Sequence, residues 1–375
     1  MEDTRHPRRP AAPGDTTGSD FFDPSHPRDR TPWDTVTGRV IAVVSRKGGV
    51  GKTTSAVNLA AAFALSGHSV LVVGADSQCG VCRTLGCRPE ELQASLGDLF
   101  GANTALTDLA QRSPLDGLWF VSPRVLCLAD EENLVRDLET RTGLFVHEID
   151  RARNLYDTII IDCPPGLGAA TRAALLAADS YLVPVQAEEL CRESVADLVE
   201  FVDEFRARHE LGPGEAVGGV AARPAGTPLA LEGMFLTMVS ERTRAGRAVT
   251  TRVAEDYGEL LLETRIPRTT RLTEMALRGQ PAVIYDRRSA GSRAYFDLAD
   301  ELVRRYCLNR RRDASDPAAA ALANDVERTP SERPEDVLTA TASRGGLNRF
   351  ERFLLDLAGP EESWHAPGGD ETLLP

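Results

Sequence analysis

Five short runs of β-branched and aliphatic residues constrain this chain most: VIAVV at 40–44, VLVV at 70–73, TIII at 158–161, YLVPV at 181–185 and MFLTMV at 234–239. A strand with one face in water alternates apolar and polar residues, whereas a strand apolar at nearly every position must be covered on both faces. Segments of helical length separate these runs. Residues 53–65, the stretch after Gly168, and residues 193–207, 249–257 and 292–306 carry apolar side chains at three- and four-residue spacing. Together the two periods specify an α/β fold, a mostly parallel sheet flanked by helices on both faces, with ligands expected at the C-terminal edge of the strands.

Outside these segments the texture changes. Residues 1–36 are rich in Pro, Asp, Arg, Thr and Ser and lack apolar periodicity, so burial cannot offset the entropy of ordering them; they are expected to form a disordered arm. A single ordered domain is expected over 37–308. A mostly disordered tail follows over 309–375, in which Leu347, Phe350, Phe353, Leu354 and Leu357 make an apolar stripe that fits a short helix at 347–358. Gly, Pro and Ala crowd residues 212–228, the pattern of a long surface loop. No apolar run approaches the roughly 20 residues that span a bilayer. The seven cysteines lack the spacing of a secreted disulfide scaffold, and no basic-then-apolar leader precedes the domain, so a reducing cytoplasm is expected. The net charge of −13 argues against a surface positive all over, yet arginines outnumber acids between Arg242 and Arg293.

Among 43 basic residues only two are lysines, Lys47 and Lys52, and both lie in the run SRKGGVGKTT at 45–54. A composition that uses arginine everywhere else retains lysine where a compact ammonium fits and a planar guanidinium does not. The run follows a strand and opens a helix, which is the setting of a phosphate-binding loop. Gly48, Gly49 and Gly51 free the backbone around Val50, so that successive N–H groups converge on phosphate oxygens at a helix N-terminus. Lys52 then neutralises phosphate charge, Thr53 offers a hydroxyl to Mg²⁺, and Thr54 completes the cradle for a nucleoside triphosphate.

The loop departs from GxxxxGK[ST], because Arg46 stands at the first glycine position and Lys47 precedes the glycines. KGGVGKTT resembles the deviant Walker A motif of the ParA, MinD and nitrogenase iron protein superfamily. VLVVGADSQCG at 70–80 resembles that family's strand ending in DxDPQ, YDTIIIDCPPGLG at 156–168 its Walker B strand, and PVQAEELCRESVADL at 184–198 its PVQxE segment. LTMVSERTRAG at 236–246 and TRIPRTTRLTEMALRGQPAVIYDRRSAGSRAY at 264–295 resemble the ParA/Soj branch, so the likeness covers roughly residues 38–306.

That resemblance implies a switch ATPase that uses ATP and Mg²⁺, forms a homodimer around ATP, and hydrolyses it slowly under stimulation by a partner. Lys47 is implied to reach the partner subunit's ATP, so Lys47, Lys52 and Asp76 form the catalytic set, Asp76 positioning the attacking water. Gly74 stands where the family has the first acid of DxDPQ, and Ser77 where it has proline. Asp162 corresponds to the Walker B acid that holds the Mg²⁺ shell with Thr53, while Pro267 and Arg268 correspond to a segment beside the nucleotide base. Nonspecific DNA binding through Arg242, Arg268 and Arg271, a ParB-like activator with a basic N-terminal segment, and a nucleoid-associated place in the cytoplasm complete the implied picture of chromosome or plasmid partition.

Two rival readings follow from the same family: a MinD-like or cargo-specific positioning ATPase working on membrane or a protein assembly, and a regulator that hydrolyses little ATP. The 347–357 stripe invites the membrane reading, but Arg349 and Arg352 are balanced by Glu351 and Asp356, where an interfacial helix has a basic excess. The acidic residues Glu361, Glu362, Asp370 and Glu371 would also be repelled by anionic lipid. Cys79, Cys82 and Cys87 suggest a metal or redox site, but no fourth Cys or His lies near them in sequence.

Overall fold

The computed structural model describes residues 38–101, 104–187, 191–209, 229–240, 251–253, 255 and 257–312. The arm at 1–36, the loop at 212–228, Arg242 and the 347–358 stripe lie outside the described residues. In chain order, β1 (Arg39–Val43), α1 (Lys52–Leu65), β2 (Val70–Gly74) and α2 (Gly80–Thr84) come first. Then follow β3 (Gln111–Arg112), β4 (Leu118–Val121), α3 (Leu128–Thr140), α4 (Thr142–Ala152), β5 (Thr158–Asp162), α5 (Ala169–Ala177) and β6 (Ser180–Gln186). α6 (Cys191–His209), β7 (Ala230–Val239) and β8 (Leu261–Pro267) lead, through short helical turns, to α7 (Ala290–Arg312).

The strands form one eight-stranded sheet in the order β3-β4-β2-β5-β1-β6-β7-β8, parallel throughout except for β3. All five expected strands are present, and β1 and β5 lie at the centre. Alternation within them sorts side chains into two layers. Val40, Ala42, Ile159 and Ile161 face a core completed by α3, α4, α5 and α6. Ile41, Val43, Val70, Val72 and Ile160 face a second core under α1 and α7. Each fully buried aliphatic side chain contributes about 1.5–3 kcal/mol, so apolar residues on both faces of the central strands bind both helical layers to one sheet.

α1 is rich in alanine and buried on nearly every side, because it is wedged between the sheet and α7. Small side chains permit that close approach, which a purely amphipathic helix would not tolerate. β8 and β4 were not among the apolar runs. In β8, Leu262 and Ile266 are buried while Glu263 and Arg265 are exposed, an alternation that belongs to an edge strand. Its backbone is covered from α7: the Glu301 carboxylate accepts from the N–H groups of Glu263 (2.8 Å) and Thr264 (2.9 Å). α3 and α4, which the apolar spacing did not mark, seat the core through residues such as Leu134, Leu138, Phe145 and Ile149. Among the described residues no helix is long and apolar enough to cross a membrane.

Candidate functional site

Register places the site. Asp162, the last residue of β5, lies level with Val43 of β1 on one side and Gly74 of β2 on the other. The loop after β1, the turn after β2 and the acid ending β5 therefore share one edge of the sheet. In the loop, Gly49 (φ 75°) and Gly51 (φ 90°) adopt left-handed backbone, and Gly51 is the N-cap of α1, whose first N–H groups have no partner within the helix. A Cβ at either glycine would meet nothing within 4 Å, so backbone conformation, and not space, excludes other residues there. Gly48 and Gly49 are exposed, as a cradle open to a ligand requires.

The loop is held from three sides. Val50 is buried, and its carbonyl accepts from the Thr237 hydroxyl of β7 at 2.9 Å. Arg46, at the first glycine position of the motif, pairs with Asp197 on α6. Asn58 of α1 donates to the Thr54 carbonyl (2.7 Å) and accepts from the Val283 N–H (3.2 Å), while the Ser55 and Tyr295 hydroxyls pair at 3.0 Å. Thr237, Asn58, Asp197 and Tyr295 were not anticipated, although a lone threonine in an apolar strand and a lone asparagine in an alanine-rich helix are the signals that mark such anchors.

Charge is concentrated at the helix start. Lys52 is 6% exposed and its ammonium donates to the Lys47 carbonyl at 3.1 Å. Thr53 Oγ1 donates to Asp162 Oδ2 at 2.7 Å, and Asp162 is fully buried. Burial pushes the Asp162 carboxyl up to about 7, against the Thr53 hydrogen bond and the Lys52 charge and with some help from Asp76. Burial lowers the Lys52 ammonium, opposed by Asp162, Asp76 and Cys163. The second carboxylate oxygen, Asp162 Oδ1, is buried without a hydrogen-bond partner among the described residues. A desolvated carboxylate with an unused oxygen beside a threonine hydroxyl is a hard-oxygen donor set that fits Mg²⁺, whose charge would offset the cost of burial.

A family model described as an AAA domain matches residues 38–211. The sporulation initiation inhibitor protein Soj of Bacillus subtilis is 32% identical over 265 residues, 71% of this chain and 98% of that protein. The chromosome partitioning protein ParA of Caulobacter vibrioides is 34% identical over 273 residues, 71% of this chain and 94% of that protein. The chain belongs to the ParA/Soj family of partitioning ATPases. Its fold is also that of cobyrinic acid a,c-diamide synthase from Mycobacterium smegmatis, solved with an ATP analogue and magnesium. That structure has a TM-score of 0.56 and 28% identity, covering 72% of this chain and 96% of the synthase.

Other residues that the family resemblance singled out fall around the same edge. Asp76 is half-buried in the turn after β2, close enough to Lys52 and Asp162 to act on both electrostatically. Gly74, at the family's first acidic position, is enclosed: a Cβ there would lie 3.1 Å from Val81 Cγ2 and 3.6 Å from Pro123 Cδ. Pro267 ends β8 in register with Val239, whose carbonyl accepts from the Arg268 N–H at 3.0 Å. β7 thus connects this segment to the loop through Thr237. Arg268 and Arg271 are both exposed; Arg271 pairs with Glu274 (3.3 Å) and Asp286 (3.0 Å). Cys79 and Cys82 are buried in the core beneath α1, where desolvation raises both thiols, Cys82 to about 11, leaving little thiolate for metal or redox chemistry at neutral pH.

Proposed function

We propose that this protein is an ATP-dependent dimerising switch that binds DNA without sequence preference and acts in chromosome or plasmid partition with a ParB-like activator. The observation that supports this most is the buried constellation of Lys52, Thr53 and Asp162 at the edge shared by β1, β2 and β5, in a chain of the ParA/Soj family. In this reading the N–H groups of Gly48–Thr54 and the Lys52 ammonium bind the phosphates, and Pro267 and Arg268 flank the base. Magnesium, held by Thr53 and Asp162, would neutralise phosphate charge. Asp76 orients the water for in-line attack, and Lys47 from the second subunit stabilises charge on the leaving oxygen, so that turnover depends on dimerisation. Arg242, Arg268 and Arg271 contact DNA phosphates, which needs charge and reach but no base readout. The protein works in the cytoplasm, on the nucleoid.

Cosedimentation with nonspecific duplex DNA in ATP, in ADP and without nucleotide tests the proposal. ATP-dependent, salt-sensitive binding that is lost in Lys47→Ala and weakened in Arg271→Ala is expected. Absence of DNA binding in every nucleotide state would overturn the DNA reading and leave a positioning ATPase for a membrane or protein cargo.

A further inference from the structure

The residue beside Asp76 is serine where the related motif has proline, and the fold gives that serine a partner from far along the chain. The Asp76 carbonyl accepts from the Cys79 N–H at 3.0 Å, so Asp76–Cys79 is a four-residue turn with Ser77 at its second position. Proline is favoured at that position because its ring presets φ; serine lacks the restraint. The turn also ends on Cys79 at φ 54°, left-handed backbone that a non-glycine residue keeps only when its surroundings hold it. Asp76 Oδ1 braces the turn from within by accepting from the Gln78 N–H at 2.9 Å.

The external brace is Glu131. Ser77 Oγ donates to Glu131 Oε1 at 2.7 Å, a hydrogen bond to a carboxylate 54 positions away in sequence. Glu131 lies in the first turns of α3, and that end of the helix is itself fixed. Asp130 accepts from the N–H groups of Leu126 (2.8 Å) and Cys127 (3.1 Å), and Leu134 and Leu138 are buried in the core. At the far side of the turn, a Cβ on Gly80 would lie 2.9 Å from Thr53 Cγ2, so the chain leaving Cys79 rests on the residue that hydrogen-bonds Asp162. The Asp76 turn is thus gripped between Thr53 and α3.

We propose that Glu131 is a positioning residue for hydrolysis: through the Ser77 hydroxyl it holds Asp76 in place, replacing by a tertiary tether the restraint that proline supplies within the turn. This rests on the catalytic reading of Asp76 given above. The tether sits at the neighbour of the group that orients water, where small displacements of a reacting group reduce rate without changing how the phosphates are held.

The test compares Glu131→Ala, Glu131→Gln and the double variant Ser77→Pro with Glu131→Ala in the full chain. Three readouts are needed: single-turnover hydrolysis, affinity for a non-hydrolysable ATP analogue, and amide hydrogen exchange of residues 76–79 in the nucleotide-free protein. Losing one hydrogen bond of ordinary net strength predicts that Glu131→Ala hydrolyses about fivefold to tenfold more slowly, with unchanged analogue affinity and faster exchange in the turn. Glu131→Gln, which still accepts from the serine, should remain close to the unaltered protein, and proline at position 77 should restore both rate and protection to Glu131→Ala. Unchanged rate and exchange in Glu131→Ala, or no recovery from the added proline, would overturn the tether. Asp76→Ala separates the two readings: full turnover in that variant sinks the catalytic role of Asp76, whereas a silent Glu131→Ala beside an inactive Asp76→Ala sinks the tether alone.

Discussion

The glycine-rich loop and the arginine-bearing segment from Arg268 to Arg288 both carry positive charge, and they carry it in opposite ways. In the loop Lys52 is almost entirely buried, lies within the electrostatic reach of Asp162 and Asp76, and has a defined acceptor in the Lys47 carbonyl. In the other segment Arg268, Arg271, Arg278, Arg287 and Arg288 are exposed. There Glu274 pairs with both Arg271 and Arg278, and Arg278 also lies over the Tyr285 ring at 4.9 Å. Burial makes the Lys52 and Asp162 interactions intolerant of shape change or of losing a partner, whereas exposed pairs are worth about 0–1 kcal/mol and can exchange one partner for another. A fixed triphosphate suits the first arrangement. A DNA backbone met at many positions suits the second.

The comparison breaks most decisively at Lys52. Lys52→Arg keeps the charge but puts a wider, planar group into a space that is 6% exposed, and phosphate release is expected to fall by about 100-fold or more. Arg278→Lys, on the exposed segment, should alter DNA affinity less than about twofold. Comparable losses in both variants would erase the distinction. A smaller effect is expected from Asp286→Asn, which removes one of the two acids paired with Arg271. DNA affinity in ATP should then rise by about threefold, with a steeper dependence on salt, in a fluorescence-anisotropy titration. Unchanged affinity and salt slope would mean that Arg271 does not meet phosphate.

A separate effect, on stability, is expected on α7. Burial raises Asp300 to about 6 from an ordinary 3.8, against the pull of Arg304. The folded protein therefore holds a proton there that the unfolded chain has released, so stability falls as pH rises from about 4 to about 6 and stays lower above that. Asp300→Asn should be more stable at pH 7 by on the order of 1 kcal/mol and equal to the parent near pH 4, as read from urea melts. A pH-independent difference would show that the charge of Asp300 carries no such cost.

Legibility followed the same division. Strands buried on both faces were readable because burial imposes an unbroken apolar run, and the glycine-rich loop was readable because only glycine adopts the φ of Gly49 and Gly51 freely. β8 escaped because an edge strand alternates charges with Leu262 and Ile266, and α3 escaped because its apolar contribution is sparse. At the site, the glycines, Lys52, Thr53 and Asp162 lie in local motifs, whereas Thr237 and Asn58 leave only an isolated polar letter in the sequence and Glu131 is one acid within an acidic run, although they act on partners between 4 and 225 positions away.

By itself the sequence determined the α/β class, the glycine-rich loop between β1 and α1 and the acid that ends β5, because each depends on backbone conformation or on a burial period that local residue order must satisfy. Only the tertiary structure decided that β5 lies between β1 and β2, which brings Asp162 against Thr53, and that the Ser77 hydroxyl meets Glu131 on α3. Strand order and side-chain pairing across long loops are settled by the packing of two cores on one sheet, a balance among distant residues that no local pattern records.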